Sequence, residues 1–216
     1  MYLSKLCLNP RHPLARRDIS NPYEMHSTLS WVFEECEVRR FLWRLERGRD
    51  PTRPTLLLQS IALPPWDRLQ ARDGYSGYLR EEPQTKRFVL PERVQAGQVF
   101  RFRLQANATV TRGGKRYGLR SERDQIAWLE RQGEHHGFRL LYYEAGAGTR
   151  IPSCQVTSAE RRAFRKRRQD PPIVLWSVTY DGYLQVTDPR GLQQALVNGL
   201  GHGKALGLGL LSIAPA

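Results

Sequence analysis

Cysteine is scarce. Cys7, Cys36 and Cys154 stand far apart with no CxxC spacing, which excludes a zinc site of that kind and a disulfide-stapled scaffold. No cluster of His, Asp and Glu has metal-ligand spacing, so no metal and no other cofactor is expected. No apolar run approaches the ~20 residues of a membrane helix. The opening MYLSKLCLNP is too short an apolar stretch for a secretory signal and lacks its small-residue cleavage site. These absences predict a soluble protein of a reducing compartment, the cytoplasm, with no membrane partner. Acidic residues are scarce too, 21 against 34 Lys and Arg.

The resulting formal charge of +13 predicts attraction to polyanions. Most of the cations are arginine, the side chain suited to bidentate phosphate contacts and to stacking on bases. Hydrophobic residues make up 40% of the chain, enough for a core, so it is not a disordered basic tail. Its 216 residues have room for one ordinary domain or two compact ones.

The segment YLSKLCL reads as a strand ended by Asn9-Pro10, and RHPLARRDIS as a basic loop. Asn21 as N-cap, Pro22 at the first position and Glu24 in a capping-box pattern start a helix toward Glu35. Met25, Leu29, Val32 and Phe33 form its buried face. RFLWRLER and TLLLQSIAL are strands, and residues 64–87 are loops with Trp66 exposed. After the alternating strand GQVFRFRLQANATVTR comes a helix capped by Ser121 with Ile126 and Leu129 inside. FRLLYYEA is a strand, IVLWSVTYDGYLQVTD a hairpin turned at Asp181-Gly182, and Asp188-Pro189 opens a last helix before a closing strand. This order predicts an α+β fold of two tandem ferredoxin-like domains with antiparallel sheets, residues 1–92 and 98–216, joined near Pro91 to Gly97.

Three motifs carry charge or chemistry. GLGHGKALGLGLLSI crowds Gly199, Gly201, Gly203, Gly207 and Gly209 around Lys204. Successive glycine amides can cradle an anion, or simply make a tight turn into a strand. In SAERRAFRKRRQD, a helical reading lines Arg161, Arg165 and Arg168 along one face, with Arg162, Lys166 and Arg167 beside them. TRGGKRYG sets Arg112, Lys115 and Arg116 around a Gly-Gly turn. The first run either lies along the backbone of an A-form RNA stem or is a flexible solvated loop, and the second is a further candidate patch. His12 reads as a solvated loop residue, His135-His136 as a helix end and His202 as a turn position.

GHGKALGLGLLSI resembles the C-terminal glycine-rich loop of the CRISPR-associated RAMP proteins, and YLSKLCLNP…ARRDISNPYEMHSTL resembles the start of the CasE family, the precursor-RNA endoribonucleases of Cascade. The likeness extends along essentially the whole chain. It implies two ferredoxin-like domains, a CRISPR repeat hairpin as substrate and metal-independent cleavage. It also implies that the protein stays on the mature crRNA beside the other Cascade subunits in a prokaryotic cytoplasm.

Given that substrate, Tyr23 and His26, three apart in the first turns of a helix, share a face. The free amides and positive dipole there favour a phosphate. Metal-free cleavage needs a proton taken from the ribose 2′-hydroxyl and one given to the 5′-oxygen. Histidine suits either task, whereas tyrosine is a poor base. The resemblance makes the two a catalytic pair, with His26 leaning to general base and Tyr23 the phosphate or leaving-group partner.

Many relatives carry a basic residue directly after the histidine and another a few positions on; this chain has Ser27 and Trp31. Either Arg16, Arg17 or Lys204 neutralises the phosphate instead, or turnover is weaker; Ser27 offers a hydroxyl but no charge. A non-catalytic RNA-hairpin-binding RAMP subunit is the alternative function. A DNA-binding regulator fits less well, because no helix-turn-helix pattern is present.

Overall fold

The computed structural model describes residues 1–46, 48, 50, 52–88, 94–146, 148–166 and 169–216. They cluster into two compact units. The first spans Met1–Leu90 together with 163–173 and 205–207; the second holds 91–162, 174–204 and 208–216.

In the first unit the elements run β1 (Tyr2–Cys7), α1 (Pro13–Ser20), α2 (Pro22–Val32), β2 (Phe41–Glu46), β3 (Thr55–Ser60), α3 (Trp66–Ala71) and β4 (Gln84–Arg87). The sheet order is β2-β3-β1-β4 with every pair antiparallel, which is the ferredoxin-like arrangement. Ser4, Leu6 and Leu8 of the first strand segment are buried. Their face meets Met25, Leu29 and Val32 of α2 in one core with Phe33, Trp43, Leu56 and Leu58.

Three expectations in this unit are corrected. Pro13–Ser20 of RHPLARRDIS is a helix rather than a loop, started by Pro13 at its first position and packed by Ala15 and the hydrogen-bonded Asp18. Residues 64–87 contain α3 and β4. Trp66 is buried, its Nε1–H donating to Thr85 Oγ1 at 3.1 Å.

The elements that follow, in the second unit except for residues 163–164, 173 and 205–206, are β5 (Val99–Asn107), β6 (Thr109–Arg112), β7 (Lys115–Gly118), α4 (Glu122–His136), β8 (Phe138–Leu140), β9 (Tyr142–Glu144), β10 (Arg150–Pro152), β11 (Cys154–Phe164), β12 (Ile173–Val186), α5 (Pro189–Asn198), a 3-10 turn Lys204–Leu206 and β13 (Leu211–Pro215). The sheet of the second unit is ordered β11-β12-β5-β13, with β8 also paired to β12. Taking β8 and β11 as one interrupted strand restores the ferredoxin-like order. The join expected near Pro91 to Gly97 falls partly outside the described residues.

Two readings here are corrected. Asp181-Gly182 makes no turn, since β12 is one continuous strand. Gly182 is required because an added Cβ would sit 2.3 Å from the Ser153 carbonyl oxygen. SAERRAF belongs to β11 rather than to a helix. Its side chains alternate, Arg161 exposed and Arg162 half-buried, as a strand's period of two dictates.

Candidate active site

Helix α2 begins where its sequence says it should. The Tyr23 backbone N–H donates to Asn21 Oδ1 at 3.0 Å, and Pro22 occupies the first turn. Glu24 does not close a capping box: the Asn21 N–H donates to the Arg17 carbonyl, and Glu24 Oε2 lies 3.5 Å from Arg17 Nε. Tyr23 and His26 are both half-buried and one helical turn apart, which places them on one face.

His26 stands in a partly apolar niche, its ring 5.5 Å from that of Phe41. Nε2 is 3.4 Å from Ser30 Oγ, while Nδ1 is buried without a hydrogen-bond partner among the described residues. Burial pushes the imidazole below its ordinary value of 6.5, because a low-dielectric setting disfavours the charged form. A neutral imidazole is the form that can take a proton. Ser30, at helical spacing from His26, and Phe41 escaped the sequence reading; the i,i+4 spacing could have revealed Ser30.

Behind the pair lies a buried carboxylate. Asp18 Oδ2 accepts from Thr28 Oγ1 at 2.7 Å and from Tyr78 Oη at 2.8 Å. Arg17 Nε donates to Asp18 Oδ1 at 2.8 Å. Arg17, expected to meet RNA, is therefore partly committed to holding α1 against α2. Arg16 is exposed on α1 and Ser27 on α2. Trp31 carries two guanidiniums instead of a charge of its own: Arg72 lies 4.1 Å and Arg68 4.9 Å from its ring. Nothing local in the sequence announces that arrangement.

The basic run reaches the same helix. Asn21 Nδ2 donates to the Arg165 carbonyl at 3.2 Å, and Lys166 Nζ lies 5.5 Å from the Tyr23 ring centroid. Arg165 Nη1 donates to the Asp170 carbonyl at 2.6 Å. Within the first unit, Tyr23, His26, Ser27, Arg16, Arg17, Arg165 and Lys166 thus occupy α1, α2 and the segment 163–173. Arg168 lies outside the described residues, and Arg161, expected on one helical face with it, lies in the strand β11 instead.

The other predicted contacts belong to the second unit. Arg112, Lys115 and Arg116 are exposed on the β6–β7 hairpin, whose Gly113 and Gly114 turn residues have φ of 54° and 74°, as a two-residue hairpin turn demands. Arg162 Nε lies 3.5 Å from Glu160 Oε2. In the glycine loop, Gly201 and Gly203 have φ of 70° and 86°. An added Cβ would come 3.1 Å from Trp128 at Gly201 and 3.3 Å from Leu208 at Gly203. These glycines serve backbone conformation and close packing. Lys204, on the 3-10 turn, and His135 both push His136 further below its ordinary value, after burial has done most. His12 is half-buried against Tyr78, with ring centroids 5.9 Å apart, rather than solvated.

Among the described residues no three His, Cys, Asp or Glu side chains form a group able to hold a metal ion, and no helix is long and apolar enough to cross a membrane.

A family model described as CRISPR associated protein matches residues 1–215. The CRISPR-associated endoribonuclease Cse3 of Thermus thermophilus is 40% identical over 221 aligned residues, covering 100% of both chains. The CRISPR system Cascade subunit CasE of Escherichia coli is 27% identical over 230, again covering 100% of both. A solved structure of Cse3 bound to a 19-nucleotide RNA matches at a TM-score of 0.86 and 39% identity over 100% of both chains.

Proposed function

The chain belongs to the CRISPR-associated protein family that includes Cse3 and CasE, and from that membership we propose that it is an endoribonuclease cutting precursor CRISPR RNA at the base of the repeat hairpin. The observation that carries the proposal is the pairing of a deprotonation-biased His26 with Tyr23 at the capped start of α2, beside the cation of Lys166.

No metal is needed for this chemistry. His26 takes the proton of the ribose 2′-hydroxyl, and the 2′-oxygen attacks the adjacent phosphorus. The bond to the 5′-oxygen breaks, and Tyr23 donates to that leaving oxygen. The products are a 2′,3′-cyclic phosphate and a 5′-hydroxyl. The α2 amides and dipole favour the phosphate at this position, and Lys166 adds positive charge beside the phenol.

Arg16, Ser27, Arg161, Arg165 and Lys166 are the stem and backbone contacts. Arg112, Lys115, Arg116, Arg162, Lys204 and the Gly201 and Gly203 amides extend them. The pair is carried by a domain of residues 1–92, and 98–216 forms the second domain. After cleavage the protein stays on the crRNA as a subunit of Cascade, as the name of the Escherichia coli relative suggests.

Incubating wild type and His26→Ala with repeat RNA in chelator tests this. Cleavage by wild type and its loss in the variant, with hairpin affinity largely kept because phosphate contacts supply it, is the expected result. Undiminished cutting by the variant removes the assignment. Ser27, which leaves the position after His26 uncharged, favours a second reading as a non-catalytic hairpin-binding subunit, which predicts tight binding and no cutting by wild type.

A further inference from the structure

On the reading that this chain cuts hairpin RNA, we infer that Asn21 is a positioning residue, whose side-chain amide ties the basic segment 163–173 to the start of the helix that presents Tyr23 and His26. One amide group serves both partners. Its oxygen accepts the Tyr23 N–H at 3.0 Å, and its nitrogen donates to the Arg165 carbonyl at 3.2 Å.

Capping alone does not select asparagine. Aspartate and serine start helices about as well, and both supply the accepting oxygen. Aspartate has no N–H to give, and serine, one bond shorter, keeps its O–H beside the cap and short of the Arg165 carbonyl. Only the donating half of the amide distinguishes Asn21 from these residues, and that half is spent on Arg165.

The clasp has a chemical consequence. The residue after Arg165 is Lys166, whose ammonium lies 5.5 Å from the Tyr23 ring centroid, within reach of a cation–π attraction. Arg165 in turn closes its own segment by donating to the Asp170 carbonyl at 2.6 Å. Asn21 holds the Arg165 carbonyl, while the Arg165 side chain bonds back to the Asp170 carbonyl. Lys166 thereby reaches the phenol from an anchored neighbour, its ammonium on the Tyr23 ring. Ser27 leaves the residue after the histidine uncharged, and the clasped lysine supplies a cation from elsewhere in the chain. Preorganised charge of this kind acts where negative charge develops in the reaction.

The test compares wild type with Asn21→Asp, Asn21→Ser, Lys166→Met and the double variant Asn21→Ser/Lys166→Met. It measures melting temperature, affinity for repeat hairpin RNA and the single-turnover cleavage rate at saturating protein. Because the cap is kept, both Asn21 variants melt within about 2 °C of wild type. Affinity changes by less than about threefold, while the saturated rate falls roughly five- to tenfold, the scale of one lost hydrogen bond. Lys166→Met lowers the rate comparably. The double variant is no more than about twofold slower than either single, since both changes break one arrangement.

Agreement between Asp and Ser excludes the new carboxylate as the cause. Wild-type rates in both Asn21 variants, or a double variant whose loss is the product of the single losses, overturns the inference. So does a slowed rate accompanied by a melting drop above about 5 °C in both, which makes Asn21 merely structural. A wild type that cuts nothing defeats the nuclease reading itself, and this inference with it; cutting by wild type and both variants alike defeats the inference alone.

Discussion

Replacing Asp18 by alanine is the sharpest test of how α2 is held. The carboxylate side chain is fully enclosed and accepts three hydrogen bonds, from Arg17, Thr28 and Tyr78. Alanine leaves two buried hydroxyls without that acceptor. Such a group costs about 1–3 kcal/mol. Thr28 has a partial refuge, the Tyr75 hydroxyl at 3.3 Å, so its share falls at the low end. The Arg17 limb adds no more than about 1 kcal/mol, because that side chain is 41% exposed and solvent screens it. The total is about 3 kcal/mol. For a chain of this length each kcal/mol moves the midpoint by about 2–4 °C, which gives a fall of roughly 6–12 °C. Near-UV circular dichroism melts, with urea unfolding to check that the denaturant slope is unchanged, measure it. Arg17→Ala should lose only the exposed limb and drop by no more than about 4 °C. Adding Tyr78→Phe to Asp18→Ala should recover stability, because the stranded hydroxyl is gone. An Asp18→Ala protein melting within 2 °C of wild type would refute the reasoning, whatever its activity.

The remaining predictions are narrower. Burial lowers the pKa of His26, so its neutral form is favoured in the folded state. That contribution to stability is complete above 6.5 and is lost as pH falls through the folded value. The acid limb of the subsaturating cleavage rate, which reports the free enzyme, should accordingly lie below pH 6.5, and a limb above it contradicts a desolvated base. Gly182→Ala drives a Cβ to within 2.3 Å of the Ser153 carbonyl and should cost about 1–3 kcal/mol in a urea titration. Neutralising Arg112, Lys115 and Arg116 together should lower the salt slope of hairpin binding by roughly one per cation that meets a phosphate. An unchanged slope removes the β6–β7 hairpin from the RNA contacts.

What could be read in the sequence, and what could not, divides along physical lines. The start of α2 was legible because Asn21 and Pro22 act within one turn, and the Ser121 and Asp188 caps of α4 and α5 are equally local. Helix α1 was not, because its buried face includes Asp18, a charge whose partners besides the adjacent Arg17 are Thr28 and Tyr78, ten and sixty residues away. Asp181-Gly182 carries a turn signal, yet the glycine answers to a neighbouring carbonyl rather than to a reversal of the chain. The cationic run 158–168 has no apolar period to separate strand from helix, so its charge misled. The shared face of Tyr23 and His26 was readable from spacing, and Ser30 could have been from its i,i+4 position; the Lys166 neighbour follows from tertiary contact.

Strand β12 is a rail shared by two trains. One edge matches β5 from Ser177 opposite Asn107 to Gln185 opposite Val99. The other serves β11 and then β8, the latter from Leu184 opposite Leu140 to Val186 opposite Phe138. Deleting one residue between 177 and 184 would put the two ladders out of step with each other and send alternate side chains to the wrong side of the sheet. Length variation is therefore shut out of this strand.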